Sequence, residues 1–249
     1  MIDLRTRMDR LGGLEEASQG GEDAIAKAIF EELGVEEGTF FEVGARDGLS
    51  LSTVFQPFVK KGWSGLLVEC DEPYYKQLVE NMSPYPKVKT HQGKVTLEKG
   101  ETVDELLTKY GFDDLDFFSI DIDSYDYWIW AGLKRQPKAV CIEYNGNPNF
   151  IDVARVITYD PEYIYQSSDY YGASAKALLA LGEHKGYDCV GWTGAGLSLI
   201  FVRKDLNNGR FRVYDLNTIE YWGVKPQVHK IGKVEWIYDP KFSWEEQKK

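Results

Sequence analysis

The chain has 249 residues, enough for one well-buried α/β domain, and it carries 29 Lys plus Arg against 40 Asp plus Glu, a formal charge of -11. That charge opposes the phosphate contacts on which nucleic-acid affinity rests, so neither DNA nor RNA is expected as a partner. There is no run of 18 apolar residues, no apolar leader in residues 1–38, and no disulfide framework among three cysteines, Cys70, Cys141 and Cys189. The expectation is a cytoplasmic protein with reduced, buried thiols and no membrane span.

Residues 1–38 read as an N-terminal segment with one covering helix. Ile25, Ile29 and Leu33 recur every four residues, Glu22 and Asp23 fall in the first turn, and Gly34 follows the end. Ser18 and Gln19, just ahead of this helix, either line the mouth of a site or serve as caps. Residues 39–71 then read strand, glycine turn, periodic segment (51–61), strand and acid, a βαβ crossover whose second strand stops at Glu69. In nucleotide-binding crossovers, glycines admit the ligand to the backbone and an acid on the second strand tip accepts the ribose hydroxyls. The turn E-V-G-A-R-D-G (42–48) is no dinucleotide fingerprint, because Arg46 stands where the second glycine would be and Glu42 lies just inside the strand. An acid there repels a pyrophosphate and suits a cationic amine, which moves the expected ligand from NAD to S-adenosylmethionine (SAM).

A second crossover helix is predicted over 72–82, with Pro73 at an early position, followed by a third strand, 88–91, a helix over 102–110 and a central strand, 115–122. Asp121 and Asp123, two apart at that strand's tip, are expected on one face, as are Glu143 and Asn145 at the end of a fifth strand, 138–142. Between the two strands, 125–133 reads as a short aromatic helix whose Trp128 and Trp130 suit the core, with Tyr125 and Tyr127 open to stacking on an acceptor. Residues 145–170 lack periodicity and carry Tyr159, Tyr163, Tyr165 and Tyr170, with Tyr171 following; they are read as a lid. A helix ends at Gly186, and strands 187–192 and 197–203 flank a glycine turn at 193–196 as a hairpin. Residues 206–249 form a C-terminal extension, packed on the domain or used in a homodimer contact.

Several of these segments carry a family resemblance. The motif E-V-G-A-R-D-G, G-W-S-G-L-L-V-E (62–69), S-I-D-I-D-S-Y-D-Y-W (119–128), I-E-Y-N (142–145) and Y-G-A-S (171–174) resemble the class I SAM-dependent methyltransferases and, more closely, FkbM-like proteins, over about residues 18–205. The resemblance implies a doubly wound, mostly parallel seven-stranded sheet with helices on both faces and an antiparallel last strand, in a methyltransferase domain over 39–205. It implies SAM held by Glu42, by Gly44, Ala45, Arg46 and Gly48 of the first turn, by Glu69 and Cys70, by Gln92 and Gly93 at the adenine edge, and by Asp121. The acceptor would be a small-molecule or glycan hydroxyl. Its proton has two routes. In one, Asp121, Glu143 and Asn145 bind Mg²⁺, as in catechol and macrolide-sugar O-methyltransferases; in the other, Asp123 or His91 is a general base without metal. The alternatives are a SAM-binding protein without methyl transfer, or an N-methyl or aminopropyl transferase on the same fold.

Overall fold

The computed structural model of the chain describes residues 1–4, 18–147, 150, 152–193, 197–219 and 236–238. Helix α1 (Glu22–Leu33) leads into β1 (Thr39–Val43), and β2 (Ser64–Glu69), α2 (Glu72–Met82), β3 (Val88–Gln92), α3 (Val103–Lys109) and β4 (Phe117–Ile120) follow. Next come α4 (Asp126–Gly132), β5 (Ala139–Glu143), β6 (Arg155–Ile157), α5 (Ala175–Lys185), β7 (Tyr187–Trp192), β8 (Ser198–Arg203), α6 (Lys204–Asn207) and β9 (Trp236–Tyr238). Seven strands form one sheet in the order β3-β2-β1-β4-β5-β8-β7, with β1 to β5 mutually parallel and β8 antiparallel to both its neighbours. This is the Rossmann-like methyltransferase arrangement expected from the sequence, antiparallel last strand included.

Strand alternation builds the two layers. Phe41 and Val43, Leu66 and Val68, Phe118 and Ile120, and Val140 and Ile142 face one apolar cluster with the aromatic residues of α4 and the apolar side of α5. Phe40, Leu67, Phe117, Ala139 and Cys141 face the other, with Ile25, Ile29 and Phe30 of α1 and Leu78 of α2. Burial on both faces is what makes these strands read as near-continuous apolar runs. The helix caps follow the sequence: Asp71 accepts from Tyr74 N, Thr102 and Glu105 form a capping box, and Ser174 accepts from Ala177 N.

One predicted helix is absent. Residues 51–61 run through turns to a short 3-10 turn at Val59–Lys61. Leu51 is left-handed (φ 64), Thr53 N–H is drawn to Glu42 Oε1, and Ser52 Oγ accepts from Val54 and Phe55 N–H. These local bonds take up the donors with which a helix would begin, and the wider bonds from Val59 to Val54 O and from Lys60 to Phe55 O replace a regular ladder. Periodicity was real in burial only: Phe58 packs edge-on to Phe30 at 5.2 Å and against Phe117 at 4.9 Å.

The chain ends close on the domain at two points. Ile2 bridges Phe211 in parallel, and β9 pairs antiparallel with β6, Val156 opposite Ile237. The glycines of the expected 193–196 turn and residues 220–235 and 239–249 of the C-terminal extension lie outside the described residues.

Candidate functional site

Because β1 to β5 are parallel, Gly44, Glu69, Gln92, Asp121 and Glu143 all lie at one edge of the sheet. The strand order reverses between β1 and β4, and ligands in open α/β sheets bind in the crevice at such a point. A cavity of about 630 Å³ opens there.

The first turn forms its floor. Gly44 N–H and Ala45 N–H both donate to Val68 O, and Gly44 (φ +79), Arg46 (φ 50) and Gly48 (φ +74) take left-handed conformations. Arg46 accepts that strain because its N–H donates to Glu69 Oε2 at 2.8 Å, while Asp71 N–H donates to Glu69 Oε1 at 2.7 Å. Glu69 is thus fixed by one backbone donor on each oxygen. The Arg46 guanidinium turns outward, 4.8 Å over the Tyr74 ring with a hydrogen bond to its hydroxyl.

Glu42 is 4 % exposed; it accepts from the Ser52 hydroxyl and from Thr53 N–H, yet burial outweighs these bonds and raises its carboxyl to about 7. Glu22 of α1 also reaches the cavity, held by Gly20 N–H and the Thr193 hydroxyl. Beyond β4, Asp126 is fully buried and accepts from Ile122 and Ser124 N–H, which curls the chain so that Asp123 (φ 54) turns back beside Asp121. The expectation that strand alternation would align these two is replaced by this turn, since β4 ends at Ile120. Asp121 is open to the cavity but set deep in the protein, and desolvation, then Asp126 and Asp123, raise its carboxyl well above the usual range. Glu143 is raised well above its usual range too, by burial and then by Asp121, with a bond from the Asp123 backbone opposing.

The roof comes from the predicted lid. Tyr165, Ser167, Asp169 and Tyr171 line the cavity, and Tyr165 meets Tyr171 edge-on at 5.6 Å. Tyr159, Tyr163 and Tyr170 hold the loop: Tyr159 accepts from Leu97 N–H, Tyr163 donates to Tyr170 O, and the Tyr170 hydroxyl accepts from Thr158 N–H. Asn145 belongs to the same scaffold. Its amide nitrogen donates to Asp169 O and Tyr171 O, and its oxygen accepts from Asn147 N–H, so this side chain fastens the roof instead of facing an ion.

Most of the predicted site residues meet here, since Glu42, Gly44, Arg46, Glu69, Cys70, Asp121, Asp123, Glu143 and Asn145 line the cavity. Ala45 and Gly48 lie beneath it in the turn, packed toward the core, with the space over Gly48 closed by Leu78 and Met82. His91, Gln92 and Gly93 do not line it. His91 stands outside the cavity, with its Nδ1 3.0 Å from the Tyr110 hydroxyl of the segment after α3, so it is not placed to act as base there, and Gly93 N–H bonds back to Glu69 O. Cys70, expected to be buried, is exposed, while Cys141 and Cys189 are buried and all three are free. Ser18 is tied to the first turn of α1, its hydroxyl donating to the Asp23 carboxylate and accepting from Asp23 N–H, while the N-cap position is Gly21, and Gln19 reaches the cavity. Tyr125 and Tyr127, offered as stacking surfaces, belong to the core with Trp128 and Trp130. Sequence reading missed Glu22, seen only as a favourable first-turn acid, and Asp126, whose place in D-I-D-S-Y-D is the signal for a carboxylate-capped loop.

The electrostatic character is one-sided. Among the described residues, eight carboxylates line the cavity (Glu22, Glu42, Glu69, Asp71, Asp121, Asp123, Glu143, Asp169) against one cation, Arg46. No helix among the described residues is long and apolar enough to cross a membrane.

No protein-family model matches the sequence, and no curated protein is similar to it. Solved structures do align. The N-terminal domain of EvdMO1 with SAH bound is 18 % identical with a TM-score of 0.47, over 82 % of this chain and 98 % of that one. A TehB-like SAM-dependent methyltransferase from Corynebacterium glutamicum is 10 % identical (TM-score 0.43; 80 % and 94 % covered), and a SAM-dependent methyltransferase from Aquifex aeolicus 14 % identical (0.44; 79 % and 96 %). At these identities and scores the likeness transfers neither residue roles nor activity, and the fold rests on the strand order itself.

Proposed function

We propose that the chain is a SAM-dependent methyltransferase, FkbM-like in its motifs, that methylates a hydroxyl of a small molecule or glycan. The observation that carries this reading is Glu69, held at the β2 tip by Arg46 N–H and Asp71 N–H, one on each oxygen, beside a glycine turn at the switch point and lining the cavity. Such a carboxylate is placed to accept the two hydroxyls of a ribose. The cavity's acids support a cationic ligand over a diphosphate, because eight line it against one arginine and a bound cation would favour the ionised forms of Glu42, Asp121 and Glu143 that burial opposes.

When bound, SAM supplies a methyl group already activated on a sulfonium, so the protein has to hold, align and deprotonate. Glu69 holds the sugar, and the Gly44 backbone, Glu42 and Asp121 receive the aminoacyl end. Tyr165 and Tyr171 roof the cavity and limit water. Removal of the acceptor proton falls to the acids beyond β4 and β5, by Asp123 as base or through a divalent ion held there. The same excess of acid favours an amine acceptor, and N-methyl or aminopropyl transfer is the second reading. Titration calorimetry should show S-adenosylhomocysteine binding, and mass spectrometry of products from a panel of hydroxyl and amine acceptors separates a gain of one methyl from a larger group. Absence of binding rejects the proposal.

A further inference from the structure

We propose that Asp121, Asp123 and Glu143 form a divalent-cation site, a ligand set that replaces Asn145 with Asp123. One carboxylate oxygen from each of the three lies within 4.8 Å of the other two. Oxygens that share a six-coordinate Mg²⁺ at about 2.1 Å stand about 3 Å apart when adjacent and about 4.2 Å apart when opposite, so three oxygens this close can converge on one hard cation with small side-chain adjustments. The backbone accounts for the convergence. Ile120 and Ile142 are partners in adjacent parallel strands, which sets Asp121 beside Glu143, and the Asp126-capped turn brings Asp123 to both.

A second observation is independent of the clustering. Glu143 is 9 % exposed, and its Oε2 is sealed from solvent with no hydrogen-bond donor among the described residues. A buried carboxylate oxygen in that state calls for a proton or a cation. Arg46, the one cation lining the cavity among the described residues, is hydrogen-bonded to Tyr74 and reaches the cluster only through the pull of its charge on Asp123. Three acid oxygens and no nitrogen or sulfur ligand select Mg²⁺, Mn²⁺ or Ca²⁺ over softer metals. Three protein ligands leave coordination positions open toward the cavity, where an acceptor oxygen would complete the shell and lose its proton more readily. Only that last role rests on the methyltransferase reading; ion binding does not.

The test is Mn²⁺ binding to the full chain, followed by the loss of the free-ion paramagnetic signal, with S-adenosylhomocysteine affinity measured in parallel with and without chelator. One Mn²⁺ per chain is expected, competed by Mg²⁺, with affinity at least 30-fold weaker in Glu143→Gln and in the more accessible Asp123→Asn, both checked for a native circular dichroism spectrum. No stoichiometric binding at millimolar Mn²⁺, or unchanged binding in both variants, overturns the site. Homocysteine-analogue binding without Mn²⁺ binding overturns the site and leaves the methyltransferase reading standing; Mn²⁺ binding without it does the reverse.

Discussion

Gly44 lies so close beneath Asp121 that a Cβ built on it would stand 1.9 Å from the Asp121 carbonyl oxygen. The floor of the cavity and its acidic wall are therefore one rigid contact. Gly44→Ala combines that clash with the cost of a left-handed alanine, and a loss of more than about 3 kcal/mol is expected. Gly34→Ala is the control, since Gly34 has φ +67 and nothing within 4 Å, and it should cost only about 1 to 2 kcal/mol. Urea unfolding of both variants decides; equal losses would show that the close approach contributes nothing.

Glu69→Ala should weaken S-adenosylhomocysteine binding by about 2 kcal/mol or more, roughly 30-fold, because charge-assisted bonds are lost and Arg46 N–H and Asp71 N–H lose their partners. Glu72→Ala, three residues on and paired to Lys76 at the surface, should leave affinity unchanged. Calorimetry on the two variants distinguishes a ligand-binding carboxylate from a general loss of negative charge.

Burial raises the Glu42 carboxyl from 4.5 to about 7, and this predicts a pH dependence of stability. Between those values the folded chain keeps a proton that the unfolded chain releases, so this group's contribution falls as pH rises from 4.5 to 7 and is fully lost above. The full effect is on the order of 3 kcal/mol. Glu42→Gln keeps the acceptor for Thr53 N–H and removes the titration. Its melting temperature should exceed that of the parent at pH 8 and the gap should close toward pH 4.5. Parallel melting curves across that range would refute the assignment.

Asp126→Asn leaves one of two buried N–H donors, Ile122 or Ser124, facing an amide that cannot accept it. A destabilisation of about 1 to 3 kcal/mol is expected in chemical denaturation. Mn²⁺ affinity should fall with it, since this side chain shapes the turn that carries Asp123.

The parts of the molecule governed by local chemistry were legible in the sequence. Pro73 marked the start of its helix, Gly34 and Gly186 marked the ends of theirs, and the apolar run G-L-L-V announced a strand buried on both faces. The segment after Gly48 was misread because a buried acid eleven residues before Thr53 outcompeted its helical pattern, a contact that periodicity does not record. His91 illustrates the opposite error: a strand-tip position suggested chemistry, while the fold spends its ring on Tyr110. The roof residues Tyr165 and Tyr171 could not be placed beforehand, because no repeating pattern fixes a loop whose hydrogen bonds run to Asn145 and to distant backbone.

The β6–β9 ribbon bears on how the protein comes to be finished during synthesis. Residues 18–203 already supply every strand of the large sheet and every described wall of the cavity, and Arg155–Ile157 already bridges residues 172–174 on one side, leaving its other edge for Trp236–Tyr238. A ribosome paused before that late strand would hold a chain with its cavity complete and one edge of β6 unpaired. Fusions or tags attached near β9 would therefore act on that free edge of β6 before they reached the cavity walls.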